Sequence, residues 1–537
     1  EEQYADDLSP YYPLLVHHWG KAENEQKTLE YLDKAGEQAL RDYANQEAVD
    51  FFSQALSMVT RSEAPVQVDR VRQAHWERQL GEAHYGLGRM VEGRKHLMSA
   101  LALVGYSVPN GFGLQVLRLV QQVLRQVLHR LFPRVFLARS RHPGLRMEAA
   151  DTYSQLAAVY YLSNDTTLLL LSTLSTLNLA ERVQVSPELA RAYANMSSVA
   201  SLIPWRKLAL LYERRAWEIL PLIHRPYEEA YASMVFAVQY SGLGDWERVE
   251  AYITSALQVF RQIGDHERIS ESATILATAL GLAGQTQRSC QLFEQILAEA
   301  QETDNDLQRA WGMVGRAHNL LRQNEAEQSE WLLHQALDLL AVNTDFSEQV
   351  RAYGLLALAS LRQGKYETSL RAAQEMLRVP GQSVPTVFST LAGYAGAAEV
   401  YLTLWEGLKT AQSDITTALG ASRRLEVMRA ARLACKAMHR FARVFPIGLP
   451  RAWLYQGWLE KVSGHPRRAQ RAWQRSLAAA ETLHMTYEMG RACFEIAKTL
   501  PPADTDRMRY LQRAVQYFQE CQATYDLAQV QTYQTTS

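Results

Sequence analysis

Two arginine-rich segments are the stretches of this chain whose residue types and spacing could support chemistry. Residues 114–141 contain several arginines and no Asp or Glu, and residues 423–443 place five cations at spacings of 3, 4, 4 and 3, on one arc of a helix. The candidate partner-binding residues are Arg118, Arg125, Arg130, Arg429, Arg432, Lys436, Arg440 and Arg443. The second stripe could hold an acidic peptide or a nucleic-acid backbone, or be a solvated face beside acidic neighbours. Sparse aromatic residues disfavour stacking with single-stranded nucleic acid.

The first basic segment also has a broad apolar stripe at helical spacing. Its members are Val116, Leu117, Val120, Val123, Leu124, Val127, Leu128 and Leu131. Wide apolar stripes usually form core, so the pattern favours an extra helix packed on the rest of the chain, with its arginines in water. Docking to an upstream module or partner, and binding at a membrane surface, are the alternatives.

Motifs for catalysis, cofactors and metals are absent from the sequence. The glycine-rich stretch Gly86–Gly93 lacks the Lys-Ser/Thr of a phosphate-binding loop, and we interpret it as a turn. His17 and His18 would point about 100° apart on a helix, so they cannot chelate a metal together. No His-Glu-x-x-His, Gly-x-Ser-x-Gly or Cys-His arrangement occurs. We therefore predict no enzyme activity in this chain, and no catalytic, cofactor-binding or metal-binding residues.

Three sets of residues recur at a fixed interval of 40 and predict a helical repeat. The small set is Ala157, Ser197, Ala237, Ala277, Ala317 and Ala357; the turn-forming set is Asn164, Pro204, Gly244, Gly284, Asn324 and Gly364; the bulky apolar set is Leu177, Trp217, Leu257, Leu297, Leu337 and Leu377. Apolar residues fall at helical spacing on both sides of each turn. The pattern predicts pairs of helices that bury their apolar faces against neighbouring pairs, with the small residue allowing close approach.

These observations predict an all-α, tetratricopeptide-like helical-repeat solenoid with units of about 40 residues. The expected segments are 1–60 (a junction and the first helical pairs), 61–105 (one repeat), 106–147 (the basic insertion), 148–380 (six repeats), 381–445 (irregular helices with the basic stripe) and 446–537 (further repeats and a cap). Trp453, Gly457, Gly464, Ala469 and Trp473 resemble the tetratricopeptide pattern, although the interval of 40 exceeds the 34 of that family.

The first 60 residues carry a more specific resemblance. The stretches Leu8–Trp19, Thr28–Leu40 and Tyr43–Leu56 look like the junction at which tetratricopeptide repeats follow the ATPase module of multidomain bacterial class III adenylyl/guanylyl cyclases and related AAA/STAND-type signalling ATPases. The resemblance implies that the chain is the regulatory arm of a longer protein. It also implies an upstream nucleotide-binding module, whose motifs do not occur in these residues.

Composition narrows the function further. The net charge of −1 gives no global field that would attract nucleic acid or membrane, and the four scattered cysteines predict buried free thiols in a reducing cytoplasm. The sequence contains neither a signal peptide nor a membrane span. The leading hypothesis is a noncatalytic scaffold or sensor that binds a protein partner or an upstream ATPase/cyclase module. A stand-alone regulator that binds nucleic acid or an acidic partner, and an enzyme with an unrecognised pocket, remain alternatives.

Overall fold

The computed structural model describes residues 8–60, 68–137, 143–183, 185–203, 206–303, 305–342, 345–379, 385–502 and 504–536, in which every long regular element is an α-helix. The helices are α1 (Tyr12–Lys21), α2 (Glu25–Arg41), α3 (Asn45–Thr60), α4 (Arg70–Gly86), α5 (Met90–Leu103), α6 (Phe112–Leu131), α7 (Pro133–Phe136), α8 (Pro143–Leu162), α9 (Thr166–Ala180), α10 (Pro187–Ser201), α11 (Arg206–Ile223), α12 (Pro226–Leu243), α13 (Trp246–Ile263), α14 (His266–Leu282), α15 (Thr286–Glu302), α16 (Asp306–Arg322), α17 (Ala326–Val342), α18 (Phe346–Arg362), α19 (Tyr366–Arg378), α20 (Leu391–Thr410), α21 (Ser413–Leu419), α22 (Arg424–Val444), α23 (Leu449–Val462), α24 (Pro466–Thr482), α25 (Thr486–Ala497), α26 (Thr505–Glu520) and α27 (Thr524–Thr536). The prediction of an all-α chain built from helix pairs is confirmed.

The small residues of the repeat are buried where the two helices of a pair meet. The side chains of Ala237, Ala277, Ala317 and Ala357 have no exposed area, and those of Ala157 and Ser197 are also buried. Ala277 packs with Phe293 and Ile296 from α15. Ser197 donates from its hydroxyl to the Ala209 carbonyl oxygen across the pair. The small residue thus allows the second helix to approach closely.

The turn-forming residues end the first helix of each pair in the left-handed region. Their φ angles are 54° at Asn164, 79° at Gly244, 93° at Gly284, 67° at Asn324 and 72° at Gly364. Glycine and asparagine adopt this conformation at low cost, which explains the composition of the set. Pro204, the remaining member, lies outside the described residues.

The bulky apolar residues follow the predicted pattern less regularly. Leu177 and Leu257 are buried in the core, whereas Leu377 in α19 is 44% exposed. Trp217, Leu297 and Leu337 are partly buried. The bulky set is therefore less uniformly buried than the small set.

Hydrogen bonds between residues far apart in sequence show that the solenoid closes on itself. Asn305 Nδ2 donates to the Gly86 carbonyl oxygen (2.9 Å, 219 residues apart), and the Thr386 amide donates to Asn164 Oδ1 (3.0 Å, 222 apart). Trp246 Nε1 donates to the Leu483 carbonyl oxygen (2.8 Å, 237 apart), and Thr286 Oγ1 to that of Cys521 (2.6 Å, 235 apart). The chain therefore completes one superhelical turn in between five and six repeats.

These contacts have a common geometry. Gly86, Asn164, Trp246 and Thr286 lie at or beside turns within helix pairs. Their partners lie at the connections that precede α16, α20, α25 and α27. The turns within helix pairs thus contact the connections between pairs one superhelical turn later. The inner helices surround a channel.

The helix α6 packs on α9, but its orientation differs from the prediction that its apolar stripe forms core. An extra helix does pack on the solenoid, but its apolar stripe does not form core: Leu117 is 64% exposed and Leu124 is 57% exposed. The polar side chains of Gln126 and His129 are buried instead. The expectation that a wide apolar stripe is core was wrong here, because hydrogen bonds from the opposite face attach this helix.

Candidate ligand-binding channel

A cavity of ≈ 200 Å³ lies inside the superhelix, among the inner helices of successive repeats. It is lined by residues of α4, α8, α9, α10, α12, α14, α16 and α18, and by residues 387–389. Tyr85 of α4 reaches across the channel, and its hydroxyl donates to Glu271 Oε1 of α14 over 3.1 Å. Helices from both ends of one superhelical turn therefore contribute to the same site.

The cavity wall repeats with the same interval of 40 as the fold. Ala158, Ser198, Val238 and Thr278 each follow a small residue of the repeat, and all four line the cavity. A second lining set is Tyr231, Glu271, Trp311 and Arg351. Equivalent positions in neighbouring repeats therefore point inward, and the type of side chain at each position sets the local chemistry of the wall.

Two arginine–carboxylate pairs supply four of the five charged side chains that line the cavity, and Asp345 is the fifth. Arg268 NH1 contacts Glu271 Oε2 at 2.6 Å, and the Arg268 guanidinium lies over the Tyr231 ring at 5.4 Å from its centroid. Arg351 NH1 contacts Glu348 Oε1 at 3.0 Å, and both side chains are buried. Each charge already has an opposite neighbour, so the pairs orient polar groups toward a ligand without leaving a bare buried charge.

Several buried hydroxyls in the cavity wall lack a hydrogen-bond partner. Among the described residues, no partner is present for Thr173 Oγ1, Thr278 Oγ1 or Ser347 Oγ. These residues are 1%, 8% and 2% exposed. Buried polar groups are normally satisfied, so unpaired hydroxyls on one cavity wall indicate where a bound molecule could donate or accept.

Burial changes the ionisation of the cavity carboxylates. It raises the pKa of Glu348 to about 7 despite the nearby Arg351, and raises the pKa of Asp345 to about 6 despite the hydrogen bond from Trp311 Nε1. The cavity therefore gains negative charge as pH rises through this interval. Binding of an anionic group would weaken over the same interval.

The raised pKa of Glu348 predicts a pH-dependent stability. The folded-state pKa of Glu348, about 7, exceeds the ordinary value of 4.5. The contribution of Glu348 to the free energy of unfolding is therefore fully present below pH 4.5 and is lost as pH rises through about 7. We expect wild type to lose roughly 1–3 kcal/mol of unfolding free energy, relative to Glu348→Gln, as pH rises from 4.5 to 8. Urea unfolding at several pH values measures this shift. A pH-independent difference would show that Glu348 titrates normally.

A second polar cluster fills the interior formed by the C-terminal helices. Glu399 Oε2 accepts from the Tyr455 hydroxyl (2.9 Å) and from Arg491 NH2 (3.0 Å), and Arg451 NH1 lies 3.7 Å away. Arg451 Nε also contacts Glu488 Oε2 at 2.6 Å. Burial alone would raise the pKa of Glu399, but Arg491 and Arg451 outweigh burial and lower the pKa to about 2. Each charge named in this network has an opposite charge beside it, so we interpret the network as structural, whereas the cavity contains hydroxyls without partners.

The structure places all five basic residues of the second stripe on the exposed side of α22. Arg429, Arg432, Lys436, Arg440 and Arg443 are all exposed, and none of them makes an ion pair with another described residue. Two grooves flank the helix: Arg432 and Lys436 line one of ≈ 930 Å³, together with Lys409, Arg424 and Arg468; Lys436, Arg440 and Arg443 line the other. The stripe is therefore continuous with a wider basic surface on neighbouring helices.

The structure treats the three candidate residues of α6 differently. Arg118 and Arg125 are exposed, whereas Arg130 is partly buried. Arg130 NH2 contacts Glu181 Oε1 at 3.4 Å, and its guanidinium lies over the Tyr212 ring. Arg130 therefore attaches α6 to the solenoid, and only Arg118 and Arg125 are available to a partner. Residues 138–142, in the rest of this basic segment, lie outside the described residues.

One group of side chains in the described residues has the spacing of metal ligands. Potential ligand atoms of Asp33, Glu37 and His75 lie within 4.8 Å of one another. However, Trp76 Nε1 donates to Asp33 Oδ1 at 2.7 Å, and Arg72 pairs with the same carboxylate. Existing cations and donors thus satisfy this cluster, so it does not call for a metal.

The sequence predicts the surface arginines as candidate binding residues but contains no motif for the cavity. Tyr231, Glu271, Trp311 and Arg351 recur at the interval of 40 that identified the fold, and this signal could have placed them on one inward face. Their types differ from unit to unit, so they do not form a visible motif. The glycine-rich stretch, in contrast, is the expected turn: Gly88 has a φ of 73° between α4 and α5.

Comparison with solved structures found several chains with limited similarity to this one. The chain is similar to the apo form of RapI (13% identity, TM-score 0.38, 54% of this chain and 98% of that chain covered). It is also similar to Cut9 in the APC/C Cut9–Hcn1 hetero-tetramer (12%, 0.44, 98% and 91%). A third similar structure is a human IFIT1 dimer with m7Gppp-AAAA (13%, 0.41, 81% and 90%). The predicted fold class is confirmed by the helix pairs of this structure.

No family model and no curated protein matches the chain. In the described part of the chain, no helix is both long and apolar enough to cross a membrane. All four cysteines are free and buried, as expected from their spacing.

Proposed function

We propose that this chain is a noncatalytic binding scaffold whose channel holds a short segment of a partner protein. The observation that carries the proposal is the cavity among the inner helices, which combines apolar walls, two oriented arginine–carboxylate pairs and unpaired buried hydroxyls. An apolar pocket with a few convergent polar groups is the usual form of a binding site. The repeated wall suits an extended segment, because successive repeats offer equivalent positions along one line.

The proposal predicts that filling the cavity abolishes peptide binding. The probe is a random 12-residue peptide library displayed on phage, selected on the wild-type chain. We expect selected peptides to lose at least about tenfold in affinity for Ala158→Phe, because the added ring occupies the cavity. Ala251→Phe is the matched control, since Ala251 is exposed on α13 outside the channel.

Two results would oppose this binding mode. One is that no peptide is enriched on the wild-type chain relative to a support without protein. The other is a set of enriched peptides that bind Ala158→Phe as tightly as wild type while circular dichroism shows that the variant is folded. Either result would place recognition elsewhere on the chain.

We further propose that the chain is the regulatory repeat arm of a nucleotide-cyclase or STAND-type ATPase signalling protein. This step depends on the resemblance of the first 60 residues to the junction that follows the ATPase module in such proteins. In that setting, occupancy of the channel would restrain or release the upstream module. The gene sequence upstream of Glu1 tests the assignment: a phosphate-loop motif there supports it, and a start codon immediately upstream removes it.

A second candidate function is capture of an acidic partner by the basic surface around α22. The exposed, unpaired stripe and its flanking basic groove favour this alternative. Nucleic acid is less suited to the surface because few aromatic residues interleave the cations.

The second candidate predicts salt-sensitive binding to an anionic probe. Polyglutamate should bind wild type at low salt and be released at high salt, and Arg432→Glu/Arg440→Glu should weaken binding without unfolding the chain. Arg214→Glu/Arg261→Glu, at exposed arginines of α11 and α13, is the matched control. Equal binding by both double variants would make the stripe an ordinary solvated face. Stronger binding to a single-stranded oligonucleotide than to polyglutamate would reassign the partner.

A further inference from the structure

The helix α6 exposes an apolar face along its whole length. The exposed fractions are 72% for Phe112, 57% for Leu114, 64% for Leu117, 50% for Val120, 44% for Val123, 57% for Leu124, 46% for Val127 and 64% for Leu131. The surface continues beyond the helix through Phe132 (54%) and Val135 (68%). A helix of 20 residues is about 30 Å long, so this surface is large for a protein in water.

A buried hydrogen-bond network fixes this orientation. Gln126 Nε2 donates to Asn178 Oδ1 and to Glu181 Oε2, each at 2.8 Å. His129 Nδ1 lies 2.9 Å from Glu181 Oε2, and Asn178 Nδ2 donates to Gln122 Oε1 at 2.8 Å. Rotating α6 to bury its leucines would leave these polar groups on α9 without partners. The solenoid therefore holds the polar face of α6 and presents the apolar face outward.

The exposed charges of α6 are all positive. Arg118 and Arg125 are exposed and border the apolar face, and no Asp or Glu occurs between residues 112 and 137. A second copy of α6 packed on this face could offer no carboxylate to these arginines from its own helix. Like charges would accumulate at the rim of such a dimer, whereas anionic lipid headgroups would neutralise them.

We propose that α6 is an interfacial anchor that binds this chain to anionic lipid bilayers, with the helix lying in the headgroup plane. The valines, leucines and Phe112 enter the acyl boundary, and Arg118 and Arg125 contact lipid phosphates or carboxylates. An amphipathic helix with an apolar face and a purely cationic border has the composition of such anchors. This activity is independent of the channel and goes beyond the proposed scaffold function.

Vesicle co-sedimentation of the full chain tests the proposal. The probes are large unilamellar vesicles of phosphatidylcholine alone and of equimolar phosphatidylcholine and phosphatidylserine. We expect binding to the anionic vesicles and much weaker binding to the neutral ones. Arg118→Gln/Arg125→Gln should reduce affinity for anionic vesicles by about fivefold per arginine. Leu117→Ser/Leu124→Ser should abolish binding to both vesicle types.

Matched variants distinguish membrane anchoring by α6 from nonspecific hydrophobic adsorption and from misfolding. Leu210→Ser/Leu222→Ser removes leucines of α11 that are 54% and 63% exposed, and it should bind vesicles as wild type does. A polarity-sensitive fluorophore on Val120→Cys should shift to the blue with anionic vesicles, while the same label on Leu210→Cys should not. The four native cysteines are buried, so labelling favours the introduced thiol.

Three outcomes would overturn the proposal. The first is absence of vesicle binding by wild type. The second is binding that Leu117→Ser/Leu124→Ser retains while circular dichroism shows native helicity. The third is a wild-type dimer in light scattering that this variant dissociates, without any shift of the Val120→Cys label on vesicles; it would identify a second copy as the occupant of the face.

Discussion

Replacing Glu399 with glutamine should destabilise the chain by about 3–5 kcal/mol. The Glu399 carboxylate lies among Arg451, Arg491 and the Tyr455 hydroxyl, and all of these side chains are buried. Its removal leaves two buried guanidinium groups with less compensating charge, which is among the most costly single changes in a protein interior. Chemical unfolding monitored by circular dichroism measures the loss.

The loss should also depend on pH in a defined direction. The pKa of Glu399 is lowered to about 2 from an ordinary 4.5, so its stabilisation is present above pH 4.5 and is lost as pH falls through about 2. The difference in unfolding free energy between wild type and Glu399→Gln should become smaller as pH falls from 4.5 to about 2. Glu426→Gln, at an exposed position of α22, is the control and should change stability by no more than about 0.5 kcal/mol. A similar small effect at Glu399 would contradict the buried network.

Replacing Gly354 with alanine should destabilise the chain by at least about 3 kcal/mol. A Cβ at Gly354 would lie 2.2 Å from the Gly393 carbonyl oxygen, and one at Gly393 would lie 2.3 Å from the Val350 carbonyl oxygen. The obstacles are backbone atoms of α18 and α20, which cannot rotate away as a side chain could. The helices must separate along this contact, and the overpacking cost is correspondingly large.

Gly113 of α6 provides the matched control for this prediction. It also lies in a helix, but a Cβ there would meet no atom within 4 Å. Gly113→Ala should leave stability unchanged or raise it by up to about 1 kcal/mol, because alanine loses less backbone entropy on folding. Thermal unfolding compares the two variants. Equal melting temperatures for Gly354→Ala and wild type would show that α18 and α20 are not in backbone contact.

The repeated units were predictable from sequence because their causes are local. A small residue such as Ala277 and a turn residue such as Gly244 each meet a requirement within one helix pair. These requirements recur every 40 residues, so the interval alone identifies the fold. The segment boundaries proposed from composition stay predictions.

The channel was not predictable because it depends on contacts over 219 to 237 residues. Small rotations between successive repeats add up to the superhelical pitch, and no local sequence pattern predicts the total rotation. The orientation of α6 escaped prediction for a related reason. Its apolar stripe predicts core, but Asn178 and Glu181, which bind Gln126 on the opposite face, lie 52 and 55 residues further along the chain. The arginines are predicted in water, and Arg118 and Arg125 are exposed, but no local pattern marks Gln126 and His129 as the interface.

The central claim is that successive superhelical turns touch and thereby enclose the binding channel, and disulfide trapping tests it most directly. A Cβ at Gly284 would lie 3.6 Å from Cys521 Cβ, within the range that a disulfide spans, and 2.9 Å from Thr486 Cβ. Under mild oxidation, Gly284→Cys/Thr486→Gly should form a disulfide with the native Cys521, detected by mass spectrometry of non-reduced digests. Gly364→Cys, at the equivalent turn with no atom within 4 Å, should remain a free thiol. A folded Gly284→Cys/Thr486→Gly variant whose introduced thiol also remains free would contradict the closed superhelix.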